Sequence, residues 1–263
     1  MVTRGGIELL TRIGFAARGL MYLTIGALAL RSGRAADSQA ALAELAGGFG
    51  GVLLGLMAVG FLGYAIWRLS EALIDSEGHG SDAKGLATRI GGAVSGLVHL
   101  GLALFALRLA IGDRSGDGSG TGSQQGAAMA LQLPGGTLLL IVAALALIGT
   151  GLFQLRKAVR ADFLDHLDRK IASASWVKWS GRIGYAARGL VFLLIGWFAG
   201  QAALSGRAAE AGGIAEALAA LPGGLFLLVA SGFALFGLFS LVEARWRRIT
   251  NPRLLDQLRV RPA

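Results

Sequence analysis

Residues 12–20 read RIGFAARGL, and residues 182–190 read RIGYAARGL, the same phrase with one aromatic exchanged for another. A third version, RIGGAVSGL, stands at 89–97, with serine where the others carry arginine. Working outward, 11–26 matches 181–196 at 11 of 16 positions, and 88–103 matches 181–196 at 8 of 16. Self-similarity on this scale marks a repeat architecture, so the fold has to be read from the repeating unit. Each phrase opens an apolar run, and a second run follows a small-residue turn: LAGG at 45–48, LPGG at 133–136, LPGG at 221–224. Gly60, Gly149 and Gly237 fall at similar depths in these second runs and are expected to be equivalent.

Six runs are long enough to cross a bilayer, which takes about 20 helical residues: 13–30, 48–67, 90–111, 135–155, 183–204 and 223–242. Only 16% of residues are charged, against roughly 25% in an ordinary soluble domain. Glycine supplies 42 of 263 residues, which suits helices packed closely in lipid, where small residues let backbones approach. Cysteine is absent, which excludes disulfides, thiol nucleophiles and thiolate metal sites. Two spans per unit is an even number, so all three units enter the membrane in one direction about an axis along its normal. The expected fold is an all-α integral membrane protein, six transmembrane helices arranged as three parallel two-helix repeats. Repeat 1 covers 1–72, repeat 2 covers 73–158, and repeat 3 covers 159–263 with a basic tail. A pseudo-threefold bundle satisfies all three repeats, whereas an open row leaves two faces unmatched.

The net charge of +9 raises the question of nucleic acid, and the distribution of charge answers it. With the N-terminus, 68–89, 156–182 and the tail from 243 on one side, and Arg18 and Arg188 near it, that side holds 20 of the 25 Lys and Arg. The other side holds Arg31, Arg34, Arg108, Arg114 and Arg207. Basic residues mark the cytoplasmic side, so both termini are expected in the cytoplasm, and nucleic acid is not the expected partner. Trp67, Trp176, Trp179 and Trp246 fall at the same inner boundary, as an aromatic belt does.

The threefold RIGxAxxGL phrase, each time followed by a second span, resembles a family of bacterial integral membrane proteins of unknown function, domain of unknown function twelve hundred and six, with three such repeats per chain. The ARG triplets at 17–19 and 187–189 carry the likeness, and Val94 and Ser95 depart from it in the middle copy. The resemblance implies a bacterial inner (plasma) membrane protein and brings no catalytic residues with it.

Of the connecting segments, GDRSGDGSGTGSQQG at 112–126 reads as a flexible polar linker; it lacks the Gly-Lys-Ser/Thr ending of a phosphate loop. Stretches 39–46 and 209–220 read as short outer helices, carrying Glu44 and Glu216. Segment 158–174 sets Phe163, Leu164, Leu167, Ile171 and Ala174 on one helical face, the pattern of an interfacial amphipathic helix. The tail from 244 carries six arginines and one aspartate, so anionic lipid headgroups are its expected partner. Gly47, Gly51, Gly55 and Gly63 form one candidate packing stripe, and Gly92 with Gly96 another.

Candidate ligand or ion-pair residues gather around the odd spans. Arg18 lies six residues past Arg12, about 9 Å deeper at 1.5 Å per residue. Two readings of Arg18 and Arg188 stand open. Their side chains snorkel to the inner boundary, or they face the bundle interior and hold an anion or a carboxylate. Glu71 and Glu243, near the inner ends of the second and sixth spans, are the internal partners on offer, and Glu243 is expected to pair with Arg188. His99 sits one turn beyond Ser95, at the position that Tyr22 and Phe192 occupy in the other copies. No carboxylate pair, Ser-His-Asp set or zinc pattern appears within the spans. The expected function is a non-catalytic scaffold or accessory subunit, without cofactor or metal, with the bilayer and another membrane protein as partners. The alternative is a small-solute or anion transporter or binding protein using an inner-facing vestibule near Arg18 and Arg188.

Overall fold

Apolar residues that fill a 20-residue window leave a helix no polar face, so it is stable only when surrounded by lipid or by other helices. Six such helices form. The computed structural model describes residues 4–36, 38–46, 50–75, 80–113 and 122–248. Its helices are α1 (Arg4–Ser32), α2 (Ser38–Glu44), α3 (Gly50–Ile74), α4 (Ala83–Ala110), α5 (Gly122–Leu131), α6 (Gly136–Arg160), α7 (Arg169–Ala172), α8 (Ser175–Ser205), α9 (Ile214–Ala219) and α10 (Gly223–Trp246). Helices α1, α3, α4, α6, α8 and α10 are each long and apolar enough to cross a membrane. Apart from one isolated bridge between Leu167 and Arg247, the described secondary structure is helical.

The six long helices pack in cyclic order. The second long helix of each repeat lies along the first long helix of the next: α3 on α4, α6 on α8, and α10 back on α1. The last joint brings the first and third repeats together. Within repeats, α1 packs on α3 and α8 on α10, but α4 and α6 are not packed along one another. The pseudo-threefold ring is therefore open at one seam, between the two helices of the middle repeat.

The glycines show why. In the joints between repeats, a methyl added at Gly237 would lie 2.7 Å from the Gly19 carbonyl oxygen, and one at Gly151 would lie 2.8 Å from that of Gly189. In the α3–α4 joint a methyl at Gly96 would lie 3.3 Å from the Ala65 carbonyl. Within repeat 1, a methyl at Gly60 would meet Ile13 oxygen at 2.9 Å and the Ala17 methyl at 3.0 Å. Repeat 3 reproduces this with Gly232 against Ile183 and Ala187. These contacts set the true equivalences: Gly60 with Gly232, and Gly237 with Gly151 and Ala65. The expected equivalence of Gly60, Gly149 and Gly237 is thus corrected, because a methyl added at Gly149 would meet no atom of another helix within 4 Å.

By the same register the middle repeat carries Ala146 where Gly60 and Gly232 stand, and Val94 where Ala17 and Ala187 stand. Both sides of the seam are larger, so the backbones cannot approach to the distance of the closed hairpins. Gly91, the RIG glycine of this repeat, has no neighbour within 4 Å, whereas a methyl at Gly14 would lie 2.9 Å from the Tyr64 Cβ. Val94 is 46% exposed.

Three further expectations change. Segment 158–174 is not one amphipathic helix: Ala161 adopts φ +56°, which ends α6, and a 3₁₀ turn (Asp162–His166) and the four-residue α7 follow. Its apolar residues pack on protein. Phe163 stacks on Tyr185 over the bare backbone of Gly181, while the Asp168 amide donates to the Trp246 carbonyl at 3.0 Å. Residues 122–126 of the supposed linker belong to α5. The stripe Gly51, Gly55 and Gly63 holds only in part: a methyl at Gly51 would lie 3.2 Å from the Ala110 carbonyl oxygen of α4 and Gly63 is buried, but a methyl at Gly55 would enter open space, while Gly92 and Gly96 both pack on α3. Gly47, most of the 112–126 linker and the basic tail from residue 249 lie outside the described residues.

Candidate functional site

The first arginine of each phrase is a clamp on the preceding repeat. Arg89 donates to the carbonyls of Ala72 and Leu73 at the end of α3, and Arg182 to those of Ala158 and Val159 at the end of α6. Arg12 donates to the carbonyls of Ala244 and Arg245 at the end of α10. Helix C-termini leave carbonyls without intrahelical partners and carry partial negative charge, so a guanidinium satisfies both needs. One end of the bundle thus holds all three clamps.

About two turns further along, each joint between repeats carries a different charge pattern. At α10–α1, Arg18 is buried and neither snorkels nor faces a vestibule. Its guanidinium donates to Glu243 Oε2 at 2.5 Å, to the Tyr64 hydroxyl at 2.9 Å and to Ser240 Oγ at 3.3 Å. Glu243, 1% exposed, also accepts from Arg247 at 2.6 Å. An unpaired charge at this depth costs several kcal/mol, on the order of 2.5–3.5 on insertion scales, and the network removes that cost for Arg18.

At α3–α4 the equivalent of Arg18 is Ser95, and the equivalent of Glu243 is Glu71, six residues past Ala65 as Glu243 is six past Gly237. Glu71 is buried and takes its cation from its own helix, pairing with Arg68. His99 turns back on its helix, with Nδ1 2.7 Å from the Ser95 carbonyl oxygen. A carbonyl only accepts, so Nδ1 carries the proton; Nε2 is buried without a hydrogen-bond partner. The ring lies against Tyr64, centroids 4.4 Å apart.

At α6–α8 the pattern breaks. Arg188 stands where Arg18 does, but six residues past Gly151 stands Lys157, not an acid. The expected Arg188–Glu243 pair does not form, because cyclic packing turns Glu243 toward α1. Among the described residues no hydrogen bond or ion pair reaches Arg188, and its buried Nε has no partner. Its guanidinium lies 4.4 Å from the Phe236 ring centre, 5.2 Å from Tyr22 and 5.4 Å from Phe192. Arg18 lies 5.1 Å from the same Phe236 ring, so the two cations are within about 10 Å of each other, an upper bound set by reach across one ring. Tyr22 is buried edge-on to Phe233 and Phe236. These aromatic side chains, with Phe15, Phe61 and Phe239, fill the space among α1, α3, α8 and α10.

The structure therefore joins Arg18 to Glu243, brings Tyr22 to Arg188, keeps Ser95 and His99 together, and leaves Glu71 in a separate joint. Tyr64, Ser240, Arg68, Arg247 and Lys157 were not singled out in the sequence. The signal for Lys157 was its six-residue spacing from the small packing residue Gly151, the same spacing that sets Glu71 after Ala65 and Glu243 after Gly237.

Fold and site together define a multi-pass membrane protein of three tandem helical repeats with ionic groups at its repeat joints. The chain belongs to the Domain of Unknown Function family DUF1206, whose model matches residues 13–75, 90–161 and 183–247. Each match opens on the isoleucine of a RIG phrase and closes one residue past α3, α6 or α10. The chain is 33% identical over 261 residues, 94% of each chain, to a protein of Bacillus subtilis (strain 168) described as uncharacterized protein YxxB. No solved structure matches it.

Proposed function

We propose that the protein is a non-catalytic scaffold or accessory subunit of the bacterial inner membrane, with both termini in the cytoplasm. The observation that carries this reading is the open α4–α6 seam in an otherwise packed ring. Two apolar helix faces that close on a partner in repeats 1 and 3 have none here, and a transmembrane helix of another protein fits that place. The aromatic filling between α1 and α10 and the neutralisation of Arg18 support a structural use of the bundle interior. The charge asymmetry and the tryptophan belt support the orientation.

The seam is tested by photocrosslinking in cells from position 94, in the parent chain and in an Ala146→Gly variant carrying the same probe, with position 62 on α3 as a control. The expected result is one discrete adduct with a membrane protein from position 94 only, reduced when the seam is narrowed. Absence of any adduct, or uptake of a labelled anion by proteoliposomes of the purified chain, overturns the scaffold reading. Reporter fusions after Gly78, Lys170 and Ala263 are expected to report cytoplasm, and fusions after Gly33, Gly118 and Gly206 the opposite side; one reversal breaks the orientation.

A further inference from the structure

The three joints between repeats share one backbone geometry and differ in how their charges balance. At α10–α1 a carboxylate (Glu243) meets a guanidinium (Arg18) across the Gly19–Gly237 contact. At α3–α4 the guanidinium is lost to Ser95, and Arg68 supplies a cation to Glu71. At α6–α8 the guanidinium stays, and the carboxylate is replaced by the ammonium of Lys157, across the matching Gly189–Gly151 contact. This joint alone has two cations at the paired positions and no acid.

The side chains behave as unsatisfied like charges do. Lys157 turns to the rings of Phe153 and Tyr185, 5.2 and 5.5 Å away, and Arg188 turns to Phe236 on the other side. The acids in the surroundings of Lys157, Glu243 and Asp162, make no ion pair with it. Aromatic faces offset part of the cost of a desolvated cation but supply no hydrogen-bond acceptors. At the positions that Arg18 and Glu243 hold in the α10–α1 joint, Arg188 and Lys157 supply a planar fork and a point charge, the two kinds of donor that hold a tetrahedral oxyanion.

We propose that the α6–α8 joint is an oxyanion site, in which a phosphate-type group takes the place that the Glu243 carboxylate holds at α10–α1, bound between Arg188 and Lys157. The inference is independent of the scaffold reading. The group is either the headgroup phosphate of an anionic lipid or a soluble phosphate. Lys157 lies three residues from the end of α6, about 4.5 Å along its axis, which puts the site within reach of both.

Thermal unfolding of the full chain in neutral detergent tests this. One arm compares sodium phosphate with sodium chloride at equal ionic strength; the other compares micelles doped with phosphatidylglycerol and with diacylglycerol. The expected result is a midpoint raised by about 5 °C near saturation in at least one arm. A response to inorganic phosphate identifies a soluble ligand, and a response to phosphatidylglycerol alone identifies a lipid headgroup. Arg188→Ser, which copies the middle repeat, is expected to abolish the response. Lys157→Glu, which copies α10, is expected to abolish it while raising the ligand-free midpoint, so a poorly folding serine variant does not leave the question open. No response in either arm, or a response that survives Lys157→Glu, overturns the proposal.

Discussion

The α8–α10 hairpin and the α4–α6 hairpin start from nearly the same nine-residue phrase and end differently. In the first, Ala187 sits against the bare backbone of Gly232, and Gly184 fits beside Phe236. In the second, the matching residues are Val94 and Ala146, and a methyl added at the matching glycine, Gly91, would enter open space. The joints between repeats show no such divergence, since Arg12, Arg89 and Arg182 clamp the preceding helix in all three. Closure within a repeat therefore rests on a notch one methyl deep, while attachment between repeats rests on an arginine clamp common to all three joints and on a small-residue contact, glycine on glycine in two of them and Gly96 on Ala65 in the third.

The largest expected effect lies in the charged core of the closed half. Glu243→Ala strands Arg18 in the interior and should cost about 3–5 kcal/mol, read as lost thermal stability in detergent. Glu243→Gln and Arg18→Ser should be non-additive, since one pair cannot be broken twice, whereas Glu243→Gln and Arg188→Ser should add. Additivity of the first pair breaks the assignment of the α10–α1 joint.

A smaller loss separates the hairpins directly. Gly232→Ala forces a methyl into the Ala187 side chain and should cost about 1–3 kcal/mol by overpacking, with Gly60→Ala close behind. Gly91→Ala and Gly149→Ala enter open space and should stay within about 0.5 kcal/mol of the parent. A large loss at Gly91 or Gly149 would show that the seam is closed in the membrane.

Much of this was legible in the sequence, because bilayer length and the RIG phrase leave little freedom in span number or repeat order. The departures at Val94 and Ser95 were also visible, and they fall at the places where the middle repeat differs. Their meaning was hidden, since a methyl more or less decides a hairpin only once the opposing residue, Ala146, is known. The partner of Glu243 was misassigned for a similar reason: helix α10 follows α8 in sequence, yet its acid faces α1, the helix that ring closure brings beside it. The break at Ala161 left no mark either, because alanine has no local preference for a positive φ and the apolar spacing of 163–171 continues through it.

The Arg18–Glu243 pair has a consequence for how the chain is made. Its members are 225 residues apart, and at about 5–20 residues per second of synthesis the acid follows the arginine by on the order of ten seconds or more. During that interval α1 has left the ribosome with a buried-type arginine and no counter-ion, and the acceptors for Arg12 do not yet exist. The first helix therefore has to wait at the insertion machinery, or near the lipid headgroups, until the last one arrives. Biogenesis of this protein ends with its beginning: a chain truncated before α10 keeps most of its spans and loses the residues that let α1 settle.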